Sequence, residues 1–207
     1  VYKRQDLLNP QYSTDPMNTN YANSAVNKQQ QTGLYAQDQM EWDRWVLTLG
    51  GRYDYAMTSA YNRNASAGTD ALDKRNDQAF TWRGGVNYVF DNGIAPYASY
   101  SESFIPTSGV GYGARAFDPS RAKQYEAGVK FVPKDRPIVM TAAVYQLTKD
   151  KNLTTDLEHP GFSSQGGEIR SRGVELEAKA AVNANINVLA SYTFTDAKYT
   201  KDADLQG

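Results

Sequence analysis

Few residues in this chain have the types and spacing that could do chemistry. The single histidine, His159, sits beside Pro160-Gly161 in a polar stretch. One imidazole with no cysteine and no second histidine makes a poor metal site, since a bound transition metal wants several nitrogen or thiolate donors. It reads as a solvated loop residue. Glu175 and Glu177, two apart on a strand, share one face and could serve acid–base work. Beside Lys179 they read better as a solvated wall with ion pairs. The glycines of Gly109-Val-Gly-Tyr-Gly113 neither follow a strand nor open a helix, so a phosphate cradle is not indicated. Zero cysteines exclude disulfides, thiolate metal sites and cysteine nucleophiles together. No Ser-His-acid constellation is identifiable, and the reading is of a protein with no catalytic residue, no bound metal and no cofactor.

The elements that would position side chains are more informative. Arg170 to Lys179 and Ile186 to Asp196 are two alternating strands joined by a tight turn. One face is apolar (Val174, Leu176, Ala178, then Val188, Ala190, Tyr192, Phe194) and the other polar (Glu175, Glu177, Lys179, then Asn187, Ser191, Thr193, Thr195). A row of charges opposite a row of aromatic and aliphatic side chains needs water on one side and an apolar medium on the other. In a transmembrane β-barrel the lumen supplies the first and lipid the second.

Period-two alternation predicts about eight strands, near residues 29–42, 45–56, 80–90, 95–103, 123–132, 138–148, 168–180 and 186–197. A strand of ~10 residues tilted by about 45° climbs roughly 23 Å, matching an outer-membrane apolar band. Faces are clearest where Leu47, Leu49, Tyr53 and Tyr55 oppose Thr48, Arg52 and Asp54. They are equally clear where Phe80, Trp82, Val86, Tyr88 and Phe90 oppose Thr81, Arg83 and Asn87, and where Tyr125, Ala127, Val129 and Phe131 oppose Gln124, Glu126 and Lys130. The strand from Ile138 is apolar on both faces and has no evident orientation. Trp42, Trp45, Tyr55, Phe80, Phe90 and Phe131, near strand ends, fit interfacial girdles. Tight turns at Asp43-Arg44, Asp91 to Gly93, Pro133 to Pro137 and Asn183 to Asn185 alternate with long polar loops over 57–79, 105–122 and 149–167. The opening stretch to Asn27 reads as one more loop. In outer-membrane barrels short turns are periplasmic and long loops extracellular.

The 22 basic and 23 acidic residues balance, which does not suit a nucleic-acid binder. No apolar run reaches the roughly 18 residues a membrane helix requires, so any span must be made of strands. A mean hydropathy of -0.66 is compatible with strands that have one wet face. The chain begins at Val1 without a charged-plus-apolar leader, as a mature exported protein or an internal piece of one would. A soluble lipocalin-like barrel or β-sandwich also alternates, with its apolar face as the core. Periodicity leaves both open; loop asymmetry favours the membrane.

Five motifs in order, Gln31-Thr-Gly-Leu-Tyr-Ala-Gln-Asp-Gln39, Leu47-Thr-Leu-Gly-Gly-Arg-Tyr-Asp54, Tyr100-Ser-Glu-Ser-Phe104, Gln124-Tyr-Glu-Ala-Gly-Val-Lys130 and the hairpin from Arg170, carry a family resemblance. From about Leu7 to Thr200 the chain resembles the barrel of TonB-dependent siderophore receptors, closest to the ferric hydroxamate (ferrichrome) type. The resemblance implies an all-β antiparallel transmembrane barrel of the Gram-negative outer membrane, in which residues 1–207 form about eight consecutive strands of a roughly 22-stranded wall. It further implies a plug and a TonB-contacting segment outside this chain. Iron would arrive as a siderophore chelate, needing no iron ligand here. An eight-stranded slice standing alone would expose two sheet edges that hydrocarbon cannot satisfy, so the chain reads as a fragment that would not form a barrel by itself.

On residue type and location, Tyr112, Phe117 and Phe162 are siderophore-contact candidates in outward loops. Lys74, Arg75, Arg121 and Lys123, at outer strand ends, are candidates for lipopolysaccharide phosphates. Outer-membrane lipid and phage or a bacteriocin are further partners. Two other readings stay open: a receptor for another cargo, such as another siderophore, cobalamin or haem, and a passive porin-like or adhesin-like barrel.

Overall fold

The structure is a computed structural model describing residues 23–64 and 69–201, without the side chains of 23–25, 62–64, 69–71 and 114. Eight antiparallel strands form one sheet in chain order. They are β1 (Asn23–Trp42), β2 (Trp45–Asn64), β3 (Thr69–Tyr88), β4 (Ile94–Ile105), β5 (Ser120–Phe131), β6 (Ile138–Thr155), β7 (Ser163–Asn183) and β8 (Ile186–Lys201). Among the described residues no helix is long and apolar enough to cross a membrane.

Every strand expected from alternation is present, and several run further toward the loop end. β2 and β3 stay in register out to Asn64↔Thr69, so most of the expected 57–79 loop is paired ribbon. Its tip, residues 65–68, lies outside the described residues, as does the chain before Asn23. β6 and β7 likewise reduce the expected 149–167 loop to residues 156–162. The physical reason is length against bilayer thickness. Twenty residues climb roughly 47 Å at a ~45° tilt, about twice the ~25 Å apolar band. Beyond the band both faces meet water, so sequence contrast disappears while backbone pairing continues.

Register also orients β6. Met140 pairs with Ala178, Ala142 with Leu176 and Val144 with Val174, so these three share the apolar face. Ala143 and Tyr145 then stand beside Glu175 and Gly173 on the polar face. The Tyr145 hydroxyl is 2.8 Å from Thr195 Oγ1, and the Lys179 ammonium is 2.8 Å from Glu177.

Exposure sorts the two faces in the opposite sense to a soluble protein. The enclosed positions belong to the polar face: Asp54, Thr58, Asp77 and Thr81, with the alanines 56, 60, 79 and 143, are all at or below 9% exposure. On the other face Leu49, Tyr53, Phe80, Tyr125, Leu176 and Phe194 each show 45% or more. A sandwich or lipocalin core would reverse this. The sheet encloses charge and presents greasy side chains outward, which suits lipid outside and water inside. Aromatic tiers mark the band. Trp45, Tyr88 and Phe90 meet edge to face at 4.7–4.8 Å near the turns. Toward the loop end, Trp82, Tyr100 and Tyr125 contact in series at 4.6–4.9 Å.

The turn end is tightly tied. Arg44 forms an ion pair with Asp91 of the next turn. Gly93 adopts φ +85° and donates to the Phe90 carbonyl at 3.1 Å, while its own carbonyl accepts from Val132 at 2.8 Å. A Cβ there would collide with the Val132 carbonyl, so only glycine fits. The seam between β3 and β4 is the short one, paired from Arg83↔Ser101 to Asn87↔Tyr97.

Candidate functional site

At the loop end, the β4–β5 connection folds back on itself. Gly111 donates to the Arg115 carbonyl at 2.9 Å and Phe117 to the Gly109 carbonyl at 3.2 Å, around a short 3-10 turn at Tyr112–Ala114. This places Tyr112 at the tip and Phe117 underneath. The Phe117 ring lies where a Cβ on Gly111 would come within 3.2 Å, and the residue is 7% exposed. Phe117 is thus a prop beneath the loop rather than a contact surface.

The β6–β7 connection is ordered by Asp156, whose carboxylate accepts from the backbone N–H groups of Glu158 at 3.0 Å and His159 at 2.9 Å. The Asp156 backbone N–H donates to the Phe162 carbonyl at 3.1 Å, and Phe162 donates to that of His159 at 3.1 Å. This compact turn brings His159 and Phe162 against the other loop. His159 stacks on Tyr112 with ring centroids 3.5 Å apart and planes at 14°; Phe162 meets Tyr112 edge-on at 5.4 Å. Tyr112 (58% exposed) and Phe162 (42%) keep open faces.

Asp118 joins the two connections to the wall. Its carboxylate accepts from Arg75 of β3 at 2.8 Å and Lys151 of β6 at 3.0 Å. Its backbone N–H donates to Gln165 Oε1 of β7 at 2.6 Å, while Gln165 Nε2 donates to its carbonyl at 2.6 Å. The Arg75 guanidinium and then the Lys151 ammonium hold the Asp118 carboxyl below the usual carboxylate range. Lys151 sits at φ +53° in a register irregularity of β6, braced by Asn152 donating to the Lys149 carbonyl at 3.0 Å. Between these parts lies an open cavity of about 430 Å³, lined by Tyr112, Arg115, Asp118, Lys151, His159 and Gln165 among others.

Of the aromatic candidates the fold therefore brings Tyr112 and Phe162 together and covers Phe117. His159, which reads from sequence as a solvated loop residue, is instead packed against Tyr112 and beside Asp156, and Asp118 carries no signal in the sequence. The Asp156-x-x-His159 spacing before Pro160-Gly161 is the signal for the Asp-capped turn; the partners of Asp118 come from three strands and have no local signature.

The cationic candidates divide by face. Lys74 (paired with Ser59), Arg121 and Lys123 lie on the apolar face above the tyrosine tier. Lys123 stands between Glu102 and Thr148, and Arg170 pairs with Thr148 on the same row. Arg172, one pair nearer the band, donates to Gln146 at 2.7 Å. Arg75 is on the polar face, committed to Asp77 at 2.7 Å and to Asp118. Among the described residues no group of three or more His, Cys, Asp or Glu is placed to hold a metal ion.

Comparison with known proteins gives concordant results. The profile of the family described as "TonB dependent receptor-like, beta-barrel" matches residues 2–207. The ferrichrome outer membrane transporter/phage receptor of Escherichia coli K12 is 57% identical over 204 residues, covering 93% of this chain and 27% of that protein. The ferrioxamine B receptor of Salmonella typhimurium is 40% identical, covering 96% of this chain and 28% of that one. The crystal structure of the siderophore receptor PiuA from Acinetobacter baumannii superposes with a TM-score of 0.76 at 23% identity, over 86% of this chain and 27% of that one. The chain thus spans a little over a quarter of the length of these relatives, which are named as receptors and transporters and not as enzymes.

Proposed function

The chain belongs to the TonB-dependent receptor β-barrel family, and from that premise we propose that it builds part of the wall and outer mouth of a ferric hydroxamate siderophore receptor in the Gram-negative outer membrane. TonB would energise import through a plug. The observation that carries the cargo assignment is the exposed Tyr112–Phe162 pair at the mouth, in a chain 57% identical to a ferrichrome transporter. In a ferric tris-hydroxamate three singly charged hydroxamates balance one ferric ion, so the iron core is neutral, and aromatic faces can bind apolar parts of such a body by dispersion and burial without liganding the iron. Iron remains cargo throughout. The polar face behind the mouth supplies a hydrated wall, with Asp54 held by Arg52 at 2.7 Å and by Gln31 at 2.9 Å.

A receptor for another cargo would keep the same scaffold, because this fold does not determine its ligand. Titrating the full-length receptor with ferrichrome and following intrinsic fluorescence separates the two. Saturable binding, weakened about tenfold or more by Phe162→Ala or Tyr112→Ala, is the expected result. Absence of saturable binding overturns the assignment. For outer-leaflet lipopolysaccharide, we propose Lys74, Arg121, Lys123 and Arg170 as the phosphate-facing row. They share the lipid-facing side at the height where headgroup phosphates would begin. Arg75 faces away from that surface. Phage or a bacteriocin would meet the same outward loops.

A further inference from the structure

The lipid-facing side of the wall is not evenly filled. Phe131 pairs with Met140, Met140 with Ala178 and Ala178 with Ala190, so one row of the apolar face runs from two bulky side chains into two methyl groups. The next row toward the loop end is bulky on the same two strands, where Leu176 pairs with Tyr192. Between these walls the surface dips into an open groove of about 410 Å³, lined by those six side chains among others.

The groove adjoins the β5–β6 turn, residues 132–137, and that turn is charged. Lys134 stands three residues past Phe131 and Arg136 four before Met140, within roughly 10–13 Å along the chain at ~3.3 Å per residue. Both are exposed, and neither forms an ion pair among the described residues. Pro133 and Pro137 fix φ on either side of them. Val132 donates to the Gly93 carbonyl at 2.8 Å and Ala181 to the Pro137 carbonyl at 3.0 Å, so the backbone bearing the two cations is tied to its neighbours on both sides. Two cations less the exposed Asp135 leave this turn one positive charge in excess. The other turns have no such excess: Asp43 offsets Arg44, Asp91 stands in residues 91–93, and residues 184–185 carry no charge.

Hydrocarbon solvent alone asks for neither feature. A flexible acyl chain fills an apolar groove by dispersion and burial, and a lipid phosphate is drawn to lysine and arginine at the headgroup level. We propose that the groove and the turn together form a site for an anionic glycerophospholipid of the leaflet on the turn side. One acyl chain lies over Ala178 and Ala190, and the headgroup meets Lys134 and Arg136. The site is separate from the row of Lys74, Arg121, Lys123 and Arg170, which stands at the opposite end of the strands. It rests on the barrel standing in a membrane and not on the identity of its cargo.

The test uses the full-length receptor in phosphatidylcholine nanodiscs that carry a trace of phosphatidylglycerol or of phosphatidylcholine, both with the same photoreactive acyl chain. Mass spectrometry then maps the cross-linked peptides. Wild type should be labelled in residues 129–142 and 174–192 about fivefold more by the phosphatidylglycerol probe, the gain expected of one net positive charge at an anionic headgroup. Lys134→Gln combined with Arg136→Gln should abolish that preference. Ala178→Phe, which adds only apolar bulk on a lipid-facing surface, should reduce labelling of the groove by both probes while the receptor keeps its heat-modifiable mobility on gels. Ala190→Val fills the same groove more gently and should act in the same direction. Equal labelling of wild type by the two probes overturns the headgroup selection, and a preference that survives the double substitution overturns the role of the turn. Labelling spread evenly over all lipid-facing strands overturns the groove. Each of these results leaves the receptor reading standing, whereas a wild-type protein without heat-modifiable mobility would overturn the membrane premise.

Discussion

Leu49 and Thr48 are neighbours in sequence and stand in different solvents. Leu49 is 46% exposed on the apolar face, beside Gly84; Thr48 pairs with Gly85 on the enclosed face. Four residues beyond Trp45 of the aromatic tier, Leu49 sits well inside the hydrocarbon band. Leu49→Arg should therefore cost about 2–4 kcal/mol of folding stability in bilayers, and Thr48→Arg much less. Reversible unfolding into urea measures both, and equal penalties would contradict the face assignment. These faces were legible because Leu47, Leu49 and Tyr53 contrast with Thr48, Arg52 and Asp54 within one span. The site was less so. Tyr112 and Phe162 could be chosen by type and location, but their meeting with His159 depends on two connections converging. Phe117 shares that type and is covered, because Gly109 and Gly111 let the loop close over its ring.

Strands and their connections show where sequence contrast ends. β6 places Ala142 and Ala143 on opposite faces, so no alternation could orient it; pairing with Leu176 and Glu175 does. The outer halves of β2 and β3 leave the bilayer, and with it the contrast that marks a strand. What holds the mouth at this scale is Asp118, bonded to β3, β6 and β7. Its lowered carboxyl pKa fixes the sign of the pH effect. The stabilisation is complete above the ordinary carboxylate range near pH ~4 and is lost as pH falls through the lowered value. Hydrogen exchange across residues 106–119 should thus rise sharply below that range while the span of β5 stays protected. Asp118→Asn should reproduce the loosened loop at neutral pH. Unaltered protection in Asp118→Asn would show that the connection is held by something other than this network.

The molecule as a whole is organised inside out. Among the described residues of the wall, the most enclosed positions include Asp54, Asp77, Thr58, Thr81 and several alanines, while tyrosines, leucines and phenylalanines such as Tyr53, Leu49 and Phe80 stand exposed. β1 and β8 are the edges of the eight-stranded sheet, and hydrocarbon tolerates no open edge, since each unpaired backbone group there costs several kcal/mol. The sheet therefore works as a segment of a closed wall. The proposed import of a ferric siderophore under TonB control can be followed as cellular uptake of radioiron-labelled ferrichrome. Cells expressing the full-length receptor should accumulate iron saturably when TonB is present and hold only surface-bound label when it is deleted. Equal accumulation with and without TonB, or none in either, would rule out TonB-driven import of this cargo.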